Sequence, residues 1–65
     1  MYFKANDTVR LLSDLPQEAL AKGAVGVVVA EFNEPQEAYE VEFCNEHGET
    51  IAQVALLPNQ LALLH

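Results

Sequence analysis

The fold class follows from residues 24–32, which read AVGVVVAEF. Valine fills four of these nine positions, and β-branched side chains favour the pleated surface of a strand. Alternation predicts that Val25, Val27 and Val29 share one face, which we expect to be the buried one. A glycine inside a strand marks a bulge, a bend or a close approach of another backbone. We expect Gly26 to be required at a bend.

Two further strands form a hairpin downstream of this stretch. Residues 38–43 alternate apolar and acidic side chains, which predicts one buried and one wet face. Residues 45–48 fit a type I turn with glycine at the fourth position, and residues 50–56 form the partner strand. The predicted core consists of Val9, Val25, Val27, Val29, Tyr39, Val41, Phe43, Val54 and Leu61.

The remaining segments predict a small barrel. A short β-prone run at residues 9–12 precedes a long first loop, residues 13–22, which carries at most one helical turn. A short 3-10 turn around Pro58 separates the fourth strand from a last apolar strand, residues 61–64. Five strands in this order predict that residues 1–65 form a single all-β domain, a small SH3-like five-stranded barrel. The alternative is an open meander packed on a helix at residues 16–22.

The charge is distributed unevenly along the chain. The net charge is −7, and all three Lys and Arg residues precede Gly23. This excess of acids argues against a nucleic-acid partner, because phosphates carry the same sign. It favours a basic protein partner, and the alternative is a solubilising surface. The candidate interaction surface consists of five glutamates: Glu31, Glu37, Glu40, Glu42 and Glu49.

No motif for catalysis, a metal or a cofactor is recognisable in the sequence. Cys44 and His47 are the one candidate nucleophile and base pair, but they lie three residues apart across a turn with no recognisable motif. A metal site from Cys44, His47 and the neighbouring glutamates would mix ligand types on a mobile turn. We therefore predict no enzyme activity. A single cysteine cannot form an internal disulfide, and no signal peptide or membrane span is evident, so we expect a cytoplasmic protein without membrane contact.

Several strings in the chain resemble a known bacterial family, the domain of unknown function 4926 family. They are DLP at 14–16, KGAVGVV at 22–28, AYEVEF at 38–43, GETIA at 48–52 and LPNQL at 57–61. The resemblance runs from about Asp7 to Leu63 and implies an SH3-like barrel related in shape to translation-factor and hydratase-subunit barrels. It also implies a free-standing small protein, with some members encoded beside toxin-like genes. Ala24 departs from the pattern, since many members carry an acid there.

These observations favour a protein-interaction module over an enzyme. We predict an acidic antitoxin or immunity-like partner of a basic protein, because a chain this small has little room for an internal pocket. The alternative is a self-associating structural module, with the apolar tail at residues 61–64 or an open strand edge as the contact. We also predict a homodimer. Tyr2, Phe3 and Phe32 are candidates for an exposed aromatic surface.

Overall fold

A computed structural model describes residues 2–64 as one antiparallel β-sheet. The five strands are β1 (Thr8–Leu11), β2 (Val25–Phe32), β3 (Ala38–Cys44), β4 (Thr50–Leu56) and β5 (Leu61–Leu63). Their order across the sheet is β4-β3-β2-β1-β5. Single 3-10 turns occur at Pro16–Glu18 in the first loop and at Pro58–Gln60 before β5. Each strand therefore pairs with its sequence neighbour, except that β5 returns to pair with β1.

The predicted all-β class, the five strands and the 3-10 turn before the last strand are confirmed. The alternative with a helix at residues 16–22 is wrong, because only Pro16–Glu18 form a helical turn there. No α-helix occurs among residues 2–64, and so nothing in that range has the helical length and apolarity needed to cross a membrane. The described sheet is open between β4 and β5, so its closure into a barrel stays a prediction.

The core lies on one side of this sheet. Its fully buried side chains come from β1, β2 and β3 and are Val9, Leu11, Val28, Tyr39, Val41 and Phe43. Leu15 and Leu20 of the first loop are also buried. The backbone N–H of each donates to the carbonyl of the other, at 2.8 and 3.1 Å. These two hydrogen bonds hold the long first loop in a compact conformation, and its two buried leucines form part of the core.

The predicted orientation of β2 is wrong. Val25, Val27 and Val29 are 48%, 38% and 43% exposed, whereas Gly26 and Val28 face the core. The physical reason is that both sides of this strand carry apolar residues, so alternation alone does not select the buried one. Packing against β3 selects the buried side of β2. At Gly26 the β3 strand lies too close to leave room for a valine side chain.

Gly26 is required by this close approach and not by a bend. A Cβ atom built there would lie 2.9 Å from the Glu42 carbonyl oxygen and 2.7 Å from Val41 Cγ1. The bulge lies farther along β2, where the pairing changes between Val28 and Ala30. Val29 is the extra residue, and a single extra residue moves the following side chains to the opposite face.

The hairpin turn between β3 and β4 is confirmed. The Gly48 N–H donates to the Asn45 carbonyl at 3.0 Å, and Gly48 has a φ of +80°. The Asn45 side-chain oxygen accepts hydrogen bonds from the N–H groups of His47 and Glu49, at 2.9 and 3.0 Å. A left-handed φ favours glycine, and the sequence pattern placed a glycine at this fourth position of the turn.

Candidate functional site

Tyr39 organises the surface at one end of the sheet. Its ring is buried, and the edge-to-face contact with Phe3 has a centroid distance of 5.2 Å. Its hydroxyl accepts hydrogen bonds from the N–H groups of Tyr2 at 3.0 Å and Phe3 at 3.3 Å, and it donates to the Glu37 carboxylate. One buried tyrosine therefore fixes both the N-terminal segment and the residues that lead into β3.

The aromatic residues near this anchor divide into core and surface. Phe3 is only 8% exposed, so its prediction as a surface aromatic is wrong. The reason is that the hydroxyl of Tyr39 draws the N-terminal segment against the sheet end, and this places the Phe3 ring in the core. Tyr2 and Phe32 remain exposed, at 69% and 44%.

A groove of about 370 Å³ lies beside the Tyr39 anchor. Its walls come from the N-terminal segment, the loop between β2 and β3, and the start of the second 3-10 turn. The lining residues are Tyr2, Gln36, Glu37, Leu57, Pro58 and Asn59. The turn is held by Gln60, whose side-chain oxygen accepts from the Leu57 N–H at 2.8 Å. No local sequence pattern predicts this groove, because its three walls are far apart in the chain.

Two of the five candidate glutamates lie together on the face of the sheet that points away from the core. Glu40 and Glu42 both belong to β3, and each is held by a side chain of the β4 segment. Glu40 accepts from Gln53 Nε2 at 3.1 Å, and Glu42 accepts from Thr50 Oγ1 at 3.0 Å. These contacts give the two carboxylates defined positions on an exposed surface.

The other three candidate glutamates lie elsewhere. Glu37 is in the groove wall. Glu49 is in the β3–β4 turn, where it accepts from Asn45 Nδ2 at 2.9 Å. Glu31 pairs with Tyr39 across the strands and so lies on the core side of the sheet, because the bulge at Val29 reverses its direction. The acids are thus spread over both ends and both sides of the sheet.

A comparison with known families agrees with the strings noted in the sequence. The family described as Domain of unknown function (DUF4926) matches residues 5–63. The chain belongs to this family. No curated protein and no solved structure gave a significant match. The region matched to the domain of unknown function 4926 family includes every groove residue except Tyr2.

The residues considered for chemistry are exposed in this member of the domain of unknown function 4926 family. Cys44 is a free, exposed thiol at the end of β3. His47 is in the following turn, and its Nε2 atom lies 4.0 Å from Glu46 Oε1 at the surface. Within residues 2–64 no group of three or more His, Cys, Asp or Glu side chains is arranged to hold a metal ion.

Replacing Tyr39 with phenylalanine tests the anchor. We expect Tyr39→Phe to lower the free energy of unfolding by about 1–2 kcal/mol, because two backbone N–H groups lose their acceptor. Urea denaturation measures this loss, and amide hydrogen exchange at Phe3 should accelerate. Tyr2→Phe removes the same atom from an exposed ring and is the matched control. Unchanged exchange at Phe3 in Tyr39→Phe would contradict the anchoring role.

Proposed function

We propose that this chain is a non-catalytic interaction module whose groove binds an extended, basic segment of a partner protein. The observation that carries the proposal is the composition of the groove beside Tyr39. The groove is lined by an apolar wall of Tyr2, Leu57 and Pro58 and by the polar residues Gln36, Glu37 and Asn59. Binding sites commonly combine an apolar concave surface with a few polar groups that fix orientation.

The apolar wall suits an extended peptide. Tyr2 presents most of its ring to solvent, and a tyrosine offers a large contact area at a low cost in side-chain entropy. Leu57 and Pro58 are half-buried and belong to a turn held by the Gln60 side chain. A wall that is already rigid loses little conformational entropy on binding, which favours affinity.

The charge of the groove selects a basic segment. The Tyr39 hydroxyl orients the Glu37 carboxylate, and a carboxylate accepts several hydrogen bonds at once. A charge-assisted bond to a Lys or Arg side chain is about twice as strong as a neutral one. Seven glutamates and no Lys or Arg follow Gly23, and this field would accelerate the encounter with a basic partner.

The proposed role and fold are those of a small SH3-like barrel that neutralises a basic protein, as an antitoxin or immunity protein does, in the cytoplasm. The strand order β4-β3-β2-β1-β5 and the 3-10 turn before β5 support the SH3-like assignment. By analogy at the level of the fold, SH3 domains bind extended segments in aromatic-lined grooves. The unpaired thiol of Cys44 supports a reducing compartment.

Titration with synthetic peptides tests the groove. The probes are nine-residue peptides that place one arginine beside proline and leucine, together with peptides in which glutamate replaces the arginine. We expect the arginine peptides to shift the NMR signals of the groove residues, and added salt to weaken binding. The glutamate peptides should not bind. Shifts confined to the Glu40 and Glu42 surface would contradict the groove as the site.

The variant Glu37→Gln measures the contribution of the carboxylate. Glutamine keeps the shape of the side chain and removes its charge, so we expect the arginine peptide to bind about tenfold more weakly, or about 1.4 kcal/mol. Glu49→Gln removes an equal charge from the distant β3–β4 turn and is the matched control. An equal loss of peptide affinity in both variants would show that Glu37 acts only through the overall negative charge of the chain.

A further inference from the structure

The face of the sheet that points away from the core carries an unexplained apolar row. Val25, Val27 and Val29 project from β2, which has a paired strand on either side, and all three are exposed. Exposed valines in the middle of a sheet differ from scattered surface residues, because they form a continuous apolar strip. Self-association was predicted through the tail at residues 61–64 or through an open strand edge. Neither contact involves this central row of valines.

Opposite charges flank the valine row. On one side β1 presents Arg10, which pairs in register with Val25. On the other side β3 presents Glu42, which pairs with Val27, and Glu40. Arg10 is the only Lys or Arg in any of the five strands. Among residues 2–64 it forms no ion pair, and Glu42 is two strands away, or about 10 Å at the usual strand spacing.

We propose that this face binds a second copy of the chain about a two-fold axis that runs along the valine row. Such an axis, lying between two facing sheets, places β1 of each copy over β3 of the other. The valines then meet each other at the centre, at the spacing of about 10 Å that separates packed sheets. The Arg10 side chain of each copy then faces the Glu42 carboxylate of the other copy.

The pattern of charges favours a second copy over a different partner. A two-fold interface brings each surface patch against itself, so it requires positive and negative groups on opposite sides of the axis. This face meets that requirement, whereas a uniformly basic partner would leave Arg10 opposite a like charge. The groove at the sheet end lies outside the proposed interface, so this inference does not rest on the proposed peptide-binding function.

The charge swap tests the proposal in the full chain. Sedimentation equilibrium of the unaltered protein should give twice the chain mass of 7.2 kDa. We expect Arg10→Glu and Glu42→Arg each to raise the dimer dissociation constant about tenfold, and the double variant to restore it to about the original value. Circular dichroism should show all variants folded, since these two side chains do not touch within one copy. A monomer mass at millimolar concentration, or no restoration in the double variant, would overturn the proposal.

Thiol cross-linking locates the axis. In a Cys44→Ser background, Val27→Cys places a thiol beside the proposed axis, and Gln53→Cys places one on the same face but two strands away from β2. Facing sheets about 10 Å apart are too distant for a disulfide between their strands, so a short bifunctional thiol reagent is the probe. We expect it to link two copies of the Val27→Cys variant rapidly and to leave the Gln53→Cys variant unlinked. Cross-linking of Gln53→Cys in preference to Val27→Cys would overturn this arrangement.

Discussion

Gly26→Ala is expected to remove a large share of the protein's free energy of unfolding. The added methyl group would lie 2.9 Å from the Glu42 carbonyl oxygen and 2.7 Å from Val41 Cγ1. A backbone oxygen in a central strand cannot move aside without separating β2 from β3. Overpacking of this kind costs about 1–3 kcal/mol and occasionally more. A domain of this size has a free energy of unfolding of roughly 3–10 kcal/mol, at 0.05–0.15 kcal/mol per residue.

Urea denaturation followed by circular dichroism measures this effect. Val27→Ala, measured at a protein concentration low enough to keep the proposed dimer dissociated, is the matched control, because it alters the next residue on the opposite face of β2, where the side chain is exposed. Surface substitutions of that kind change stability by about 0.5 kcal/mol or less. A Gly26→Ala variant with an unchanged urea midpoint would show that β2 and β3 are not as close as the structure places them.

The difference between β2 and β3 shows which part of the fold the sequence could predict. In β3 every second residue between Tyr39 and Phe43 is a glutamate, and an ionised side chain is strongly disfavoured in an apolar core. The buried face of β3 was therefore predicted correctly. In β2 the two faces are almost equally apolar, so the hydrophobic pattern left the choice open, and the close approach at Gly26 decides it.

The candidate site was harder to predict than the fold. The position of Glu31 depends on the bulge at Val29, and a one-residue shift of register reverses the direction of every later side chain in the strand. The groove depends on the Tyr39 hydroxyl and on three segments that only the folded chain brings together. The family match confirms that the chain belongs to the family, but a shared family or fold does not define a function, which follows from the site.

Val28→Asp is expected to abolish folding, whereas the same substitution one residue earlier should not. Val28 is fully buried between β1 and β3. An aspartate there would bring a carboxylate into a core in which no buried side chain of residues 2–64 is polar or charged. Burying an unpaired charge costs several kcal/mol, which is comparable with the expected stability of a domain of this length.

Val27→Asp is the control, because its side chain points away from the core and the composition of the two variants is identical. The substitution loses strand propensity, which spans about 1 kcal/mol, so the monomer should remain folded. The proposed dimer should dissociate, since the new carboxylate lies at its centre. Nitrogen-proton NMR spectra at low protein concentration separate the two results: dispersed signals for Val27→Asp and collapsed signals for Val28→Asp. The reverse outcome would show that the valine row on β2 faces the core after all, and it would remove the basis for the proposed dimer interface.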